Sequence, residues 1–159
     1  MNERYLFKAK RIHNGEWVTG YYAVIGGRNV IIEKCVEDYY CTDDGEVRHG
    51  NQIHEVTPST ICQCTGLKDK NGKLIWESDV VKKEFYTDYN NCANSEEYIG
   101  IVKFTGFAWV IETIRDKCTR PIFEAMTYSE DVKYFEVIGN VFDNPELLEG
   151  GEQSGTRTK

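Results

Sequence analysis

Leucine and alanine are scarce in this 159-residue chain, at five residues each, and proline occurs three times. So little of the best helix formers argues against a helical bundle, and so little proline excludes a collagen-like or proline-rich linker protein. Long apolar runs are absent as well. No stretch approaches the ~20 residues of a membrane span, and the opening MNERYLFKAK lacks the apolar segment of a secretory signal. The sequence therefore reads as a cytoplasmic protein without a membrane anchor. Cations are in deficit, with 19 Lys and Arg against 26 Asp and Glu and a net charge of −7. That balance disfavours a general nucleic-acid coat. Six cysteines in a chain with no export signal predict free thiols and not a disulfide framework.

What is present in quantity is branched and aromatic: 13 Val, 13 Ile, 12 Thr, 10 Tyr and 7 Phe. These side chains suit a pleated surface, and short runs with a period of two recur between turn signals. The reading is an all-β chain long enough for one compact domain or two very small ones. Strands are predicted at Tyr5 to Lys10, Trp17 to Ile25, Val30 to Val36, Gln52 to Val56 and Thr60 to Thr65, with turns at Asn14-Gly15 and Gly26-Gly27. Glu37 to Gly50 reads as a polar β-excursion with a tip at Asp43-Asp44-Gly45. Asn71-Gly72 predicts a type I′ hairpin, and Glu77-Ser78-Asp79 a corner before a strand from Val80 to Phe85. Tyr86 to Tyr98 has no apolar period and is predicted to be a surface loop. Ile99 to Phe104 and Phe107 to Arg115 form the next hairpin, followed by a short strand at Ile122 to Met126 and a helical turn capped at Ser129 to Asp131. A last strand, Glu136 to Phe142, leads to a short terminal helix with Asn144 as N-cap and Pro145 in its first turn. Residues 150–159 read as a disordered tail. The expected division is 1–64 as an N-terminal β-meander and 65–149 as a second region.

Signatures of chemistry are missing. There is no G-x-S-x-G, G-x-x-x-x-G-K-[ST], H-E-x-x-H or G-x-G-x-x-G. Cys62 and Cys64, two apart on one strand, could join Cys35, Cys41, His49 or His54 around zinc, but their C-x-C spacing is not the C-x-x-C of zinc ribbons. A thiolate pair of His54 with either cysteine is a further enzymatic reading. The more economical one is buried thiols, with no metal and no cofactor. Residues 1–34 carry a local excess of +3, from Arg4, Lys8, Lys10, Arg11, Arg28 and Lys34 against Glu3, Glu16 and Glu33. Lys8, Lys10 and Arg28 are thus candidate contacts for an acidic partner. Trp17 near Arg11, and Phe104 and Trp109 near Lys103, would suit a base-stacking platform, though Trp76, Trp109 and Phe107 are expected in the interior.

Two segments carry a resemblance. T-G-L-K-D-K-N-G-K-L-I-W-E-S-D-V-V-K from Thr65 to Lys82 and F-E-V-I-G-N-V-F-D-N-P-E-L-L from Phe135 to Leu148 are similar to the two signature blocks of the YopX family of phage and prophage proteins. An R-Y-L-F-K-A-K strand stands at the expected place before them. The resemblance implies an SH3-like barrel within the all-β fold, a phage or prophage origin, and no assigned activity. Family members usually have Gly where this chain has Ser78, so a remodelled corner is expected here. Asp69, Asn71, Gly72, Asp79, Gly139, Asn140, Asn144 and Pro145 fall in these blocks as backbone-shaping positions. The functional expectation is a non-enzymatic module that binds a host or phage protein or associates with itself, through Tyr86, Tyr89 and Tyr98 or through the basic strand. A nucleic-acid module and a thiol- or zinc-dependent enzyme are the alternatives.

Overall fold

The computed structural model describes residues 3–33, 39–41, 47–49, 52–89, 92–114, 124–125 and 134–149. Its architecture is all-β, in two compact units, Met1–Gly66 and Leu67–Lys159.

The first unit is a meander. After a 3-10 turn at Glu3–Tyr5 come β1 (Phe7–Lys10), β2 (Trp17–Ile25) and β3 (Arg28–Glu33), each pairing antiparallel with the next. β4 (Tyr39–Cys41) and β5 (Val47–His49) form a separate hairpin, which is where the β-excursion was expected. β6 (Gln52–Glu55) returns to β3, and β7 (Cys62–Lys68) begins beside β1, giving the order β6-β3-β2-β1-β7. Alternation puts Ala9, Val18, Ile31 and Val56 on one buried side, with Phe7 and Ile61 packed against them. A fully buried Val or Ile side chain contributes roughly 1.5–3 kcal/mol. An isolated bridge between Arg11 and Val56 draws the end of β6 toward the end of β1. Pro58 ends β6, as its missing N–H requires, in a 3-10 turn at Pro58–Thr60.

β7 continues past Gly66, and its next neighbour is β8 (Leu74–Trp76), in the second unit. There β9 (Asp79–Tyr89), β10 (Cys92–Phe104), β11 (Trp109–Thr113), β12 (Glu124–Ala125) and β13 (Phe135–Asn140) form a sheet in the order β12-β11-β10-β9-β13, and α1 (Glu146–Glu149) follows. Its core is Ile75, Val81, Val102, Ile111 and Phe135, with Leu67, Trp109 and Val137 against it. Among the described residues both sheets are open, so the ladders do not make the closed barrel that the resemblance implies.

Three expectations change. Tyr86 to Tyr98 is no loop: these residues lie in β9 and β10, which pair continuously from Ile101↔Val80 to Cys92↔Tyr89. Continuous cross-strand backbone pairing, with the strand preference of Phe, Tyr and Thr, forms the ladder there without an apolar period in the sequence. Phe107 is not interior but 98% exposed, at the turn between β10 and β11, whereas Trp76 is buried. The Asn71-Gly72 turn is not type I′, because only Gly72 has positive φ (82°). Asp69 N–H donates to Lys73 O (2.8 Å) and Gly72 N–H to Asp69 O (2.9 Å), so Lys70 and Asn71 are the central residues and Gly72 takes the left-handed position after them. Asp43-Asp44-Gly45, Ser129 to Asp131 and the 150–159 tail lie outside the described residues.

The Glu77 to Asp79 corner keeps the geometry a glycine would give it. Ser78 has φ 65°, the one non-glycine in the left-handed region among the described residues. Its N–H donates to Val102 O (2.8 Å) and its carbonyl accepts from Val141 N–H (3.0 Å), and these two bonds hold the strained conformation in place. That conformation costs an L residue about 1–2 kcal/mol, and glycine's greater unfolded-state freedom gives back roughly 0.5–1. Ser78→Gly is therefore expected to raise unfolding free energy by about 0.5–1 kcal/mol, read from the urea midpoint, and Ser78→Val to lower it.

Candidate functional site

The two signature blocks meet in the folded chain. At the turn between β7 and β8, Asp69 Oδ1 accepts from Asn71 N–H (2.8 Å) and Lys73 N–H (2.9 Å), which sets the turn. Its Oδ2 reaches across to β13 and accepts from Val137 N–H (3.1 Å). Lys70 N–H donates to Phe135 O (2.8 Å), and the Lys70 ammonium pairs with Glu136 (2.7 Å). Asp69 is only 5% exposed. Burial pushes its carboxyl pKa up, but the backbone donors of Val137, Lys73 and Asn71, together with the Lys73 ammonium, outweigh it and hold the group below the ordinary 3.8.

Asp79 does the same at the next corner, where its buried Oδ2 accepts from Trp76 N–H (2.9 Å). β13 pairs with β9 up to Asn140↔Asp79, with a bulge between Val137 and Gly139. Gly139 is closely packed, since a Cβ there would stand 2.5 Å from Asn144 Oδ1 and 2.8 Å from Leu147 Cδ1 and would displace those side-chain ends. Asn140 Oδ1 accepts from Phe142 N–H (2.9 Å) and Asp143 N–H (3.0 Å). Asn144 does not cap α1 with its side chain as expected. Its Oδ1 turns back to Asn140 N–H (3.3 Å), its amide donates to Glu146, and its main-chain carbonyl accepts from Leu147 N–H (3.1 Å). Pro145 then opens the helix. Asp69, Asn71, Gly72, Asp79, Gly139, Asn140, Asn144 and Pro145 thus form one backbone-bonded knot.

The other candidates are dispersed. Lys8 and Lys10 hold their ammonium groups 5.1 and 5.4 Å from the Trp17 ring centroid. Arg28 pairs across from Ile25, while Lys8 faces Thr19 and Lys10 faces Trp17; at ~3.4 Å per residue Arg28 stands roughly 20 Å from Lys8 and roughly 27 Å from Lys10 along the strands. Arg28 also pairs with Glu55 (3.3 Å). The register places Tyr86, Tyr89 and Tyr98 on β9 and β10, opposite Ser95, Cys92 and Lys83. Cys62 and Cys64 are buried free thiols. The first donates to Thr60 O and the second accepts from Gly66 N–H, both at 3.4 Å. His54 Nε2 lies 2.9 Å from Glu33 Oε2, a carboxylate that also faces Arg11 (3.6 Å). Among the described residues no three His, Cys, Asp or Glu side chains gather as metal ligands would.

Sequence reasoning missed an aromatic prong. Phe104 and Trp109 stand opposite each other at the end of β10 and β11, ring centroids 5.0 Å apart, and Phe107 projects from the turn between them. The signal was an apolar residue directly after Gly106 in a tight turn, a position that cannot reach a core.

Two outcomes follow. Asp69→Asn turns an amide N–H₂ toward a main-chain donor and removes the charge from the other bonds; it is expected to lower stability by about 2–3 kcal/mol in urea titration. Because the folded pKa of Asp69 is depressed, its contribution is complete above about pH 4 and is lost as pH falls through the folded value, so the penalty of Asp69→Asn should shrink below that range. Iodoacetamide labelling of the native protein followed by peptide mass spectrometry should leave Cys62 and Cys64 unmodified until denaturant is added; rapid native labelling of either would contradict their burial.

No curated protein matches the chain. The family model described as YopX protein matches residues 6–149, a span that takes in both halves of the Asp69 to Val137 knot and nearly the whole sequence. By that match the chain belongs to the YopX protein family.

Proposed function

We propose that this YopX-family protein is a non-enzymatic binding module of phage or prophage origin that acts in the bacterial cytoplasm on a host or phage protein. The observation that carries the reading is Phe107, 98% exposed on the turn between β10 and β11. The turn that presents it is closed by hydrogen bonds: Thr105 N–H and its hydroxyl both donate to Ala108 O at 3.1 Å, and Gly106 has φ 88°. Behind the tip the Lys103 and Glu112 side chains form an ion pair, so the prong of Phe104, Phe107 and Trp109 carries no uncompensated charge. A large exposed aromatic contributes strongly once buried in a partner's pocket, and aromatic residues are enriched at the energetic centres of protein interfaces. The signature residues meanwhile are committed to backbone bonds, which supports a scaffold role for them.

The measurement is affinity capture of the tagged protein from host lysate, with nuclease, beside a Phe107→Ser variant. A stoichiometric protein retained by the wild type and lost by the variant is the expected result. Because Phe107 touches no core, the variant should unfold within about 0.5 kcal/mol of the wild type. Capture that is indifferent to Phe107, or that vanishes with nuclease, would contradict the reading and favour nucleic acid.

A further inference from the structure

An asparagine directly before a glycine can react with its own main chain. The glycine has no Cβ to shield its nitrogen, so that nitrogen can attack the asparagine Cγ. A C–N bond forms and closes a succinimide ring, while the amide nitrogen leaves as ammonia, taking the glycine N–H proton with it. Water then opens the ring at either carbonyl. The products are aspartate, or an isoaspartate whose main chain runs through the side-chain carboxyl and is one atom longer. This chain has two such pairs, Asn14-Gly15 and Asn71-Gly72, and all four residues are exposed.

The two pairs are held differently. In each, the glycine N–H donates to a main-chain carbonyl 2.9 Å away, Gly15 to Arg11 and Gly72 to Asp69, so this bond does not distinguish them. The carboxamides do. Asn14 Nδ2 donates to Glu16 Oε2 (2.6 Å), and Asn14 Oδ1 accepts from Glu16 N–H (3.1 Å). Both bonds must break before the Asn14 Cγ can turn to the Gly15 nitrogen, and two bonds of ordinary net strength correspond to roughly tenfold or more in rate. Asn71 bonds only through its main-chain N–H, to Asp69 Oδ1 (2.8 Å), and among the described residues its carboxamide has no partner to leave.

We infer that Asn71 is a site of spontaneous modification, converted to aspartate and isoaspartate while Asn14 persists, and that this conversion loosens the fastening at Asp69. The inserted isoaspartate atom falls between residues whose N–H groups converge on Asp69. Asn71 N–H lies before it, and the Gly72 and Lys73 N–H groups, which donate to Asp69 O and Oδ1, lie after it. One side of the turn must give way. Either product also places a second carboxylate in a turn whose donors already serve that of Asp69.

The test is to age the purified full chain at mildly alkaline pH and body temperature and to follow both pairs by peptide mass spectrometry, with fragmentation that separates isoaspartate from aspartate. In the native protein Asn71 should convert about tenfold faster than Asn14, whereas in urea the two rates should be alike. Glu16→Ala frees the Asn14 carboxamide and should bring its native rate toward that of Asn71. Aged wild type should unfold at a lower urea midpoint than fresh protein, and Asn71→Gln, which keeps the main-chain N–H, should age without that shift. Equal native rates, faster conversion of Asn14, or persistence of Asn71 in the native chain while it converts in urea would overturn the assignment of the site. Conversion at Asn71 with an unchanged midpoint would overturn its effect on the fastening. None of these readouts involves Phe107, so failure here is separate from failure of the prong reading.

Discussion

A single carboxylate joins the two parts of the sequence on which the second unit depends. Asp69 sits in the turn between β7 and β8, yet its second oxygen binds the main chain of β13, 68 residues later, at Val137. Three N–H donors converge on one buried side chain, and charge-assisted bonds of this kind are worth more than neutral ones. Their value lies in geometry as much as in energy. With β13 fixed against that turn, Phe135 lies in the core beside Ile75, Val81, Val102 and Ile111, and the bulge at Gly139 brings Asn140 and Asn144 together behind it.

Much of this fold could be read from one sequence, and the reasons differ by element. β2 was legible at both ends because Asn14-Gly15 and Gly26-Gly27 bracket a run rich in branched and aromatic residues. The Asn144-Pro145 helix start was legible from its residue types, although the Asn144 side chain serves Asn140 instead of the helix. What was not legible were the features that arise from pairing at a distance. Residues 86–98 carry no apolar alternation in sequence, so period-two reasoning had nothing to detect in the outer part of the β9 and β10 ladder. The Asn71-Gly72 turn departed from its local preference because Asp69 captures two main-chain donors within the turn and a third from a distant strand. Ser78 shows the same rule in reverse. Its residue type argues for a changed corner, yet Ser78 takes a left-handed φ that glycine would adopt freely, held between bonds to Val102 and Val141.

The candidate site divides along the same line. Residues that stand out as motifs shape the backbone, because turns, caps and bulges draw on a few residue types with fixed spacing. Contact surfaces have no such grammar. Phe107 is one aromatic among seven Phe, and only its place at a turn tip distinguishes it. Lys8, Lys10 and Arg28 look like one basic set along the sequence, but the register of β1, β2 and β3 parts Arg28 from the two lysines and gives it to Glu55. A scaffold fastened at Asp69 carries its exposed aromatic prong on a turn at one end of β10, and loops held on a rigid scaffold are where contact residues usually lie.

Amide hydrogen exchange resolved by residue tests the account at its centre. If Asp69 fastens the two blocks together, the Val137, Asn71 and Lys73 amides should exchange only with global unfolding, at the same free energy as the buried amides of Val81 and Val102, even though Asn71 and Lys73 lie in an exposed turn. Exchange of the Val137 amide at the rate of an open loop, while Val81 and Val102 stay protected, would show that β13 is held without the carboxylate and would contradict the account.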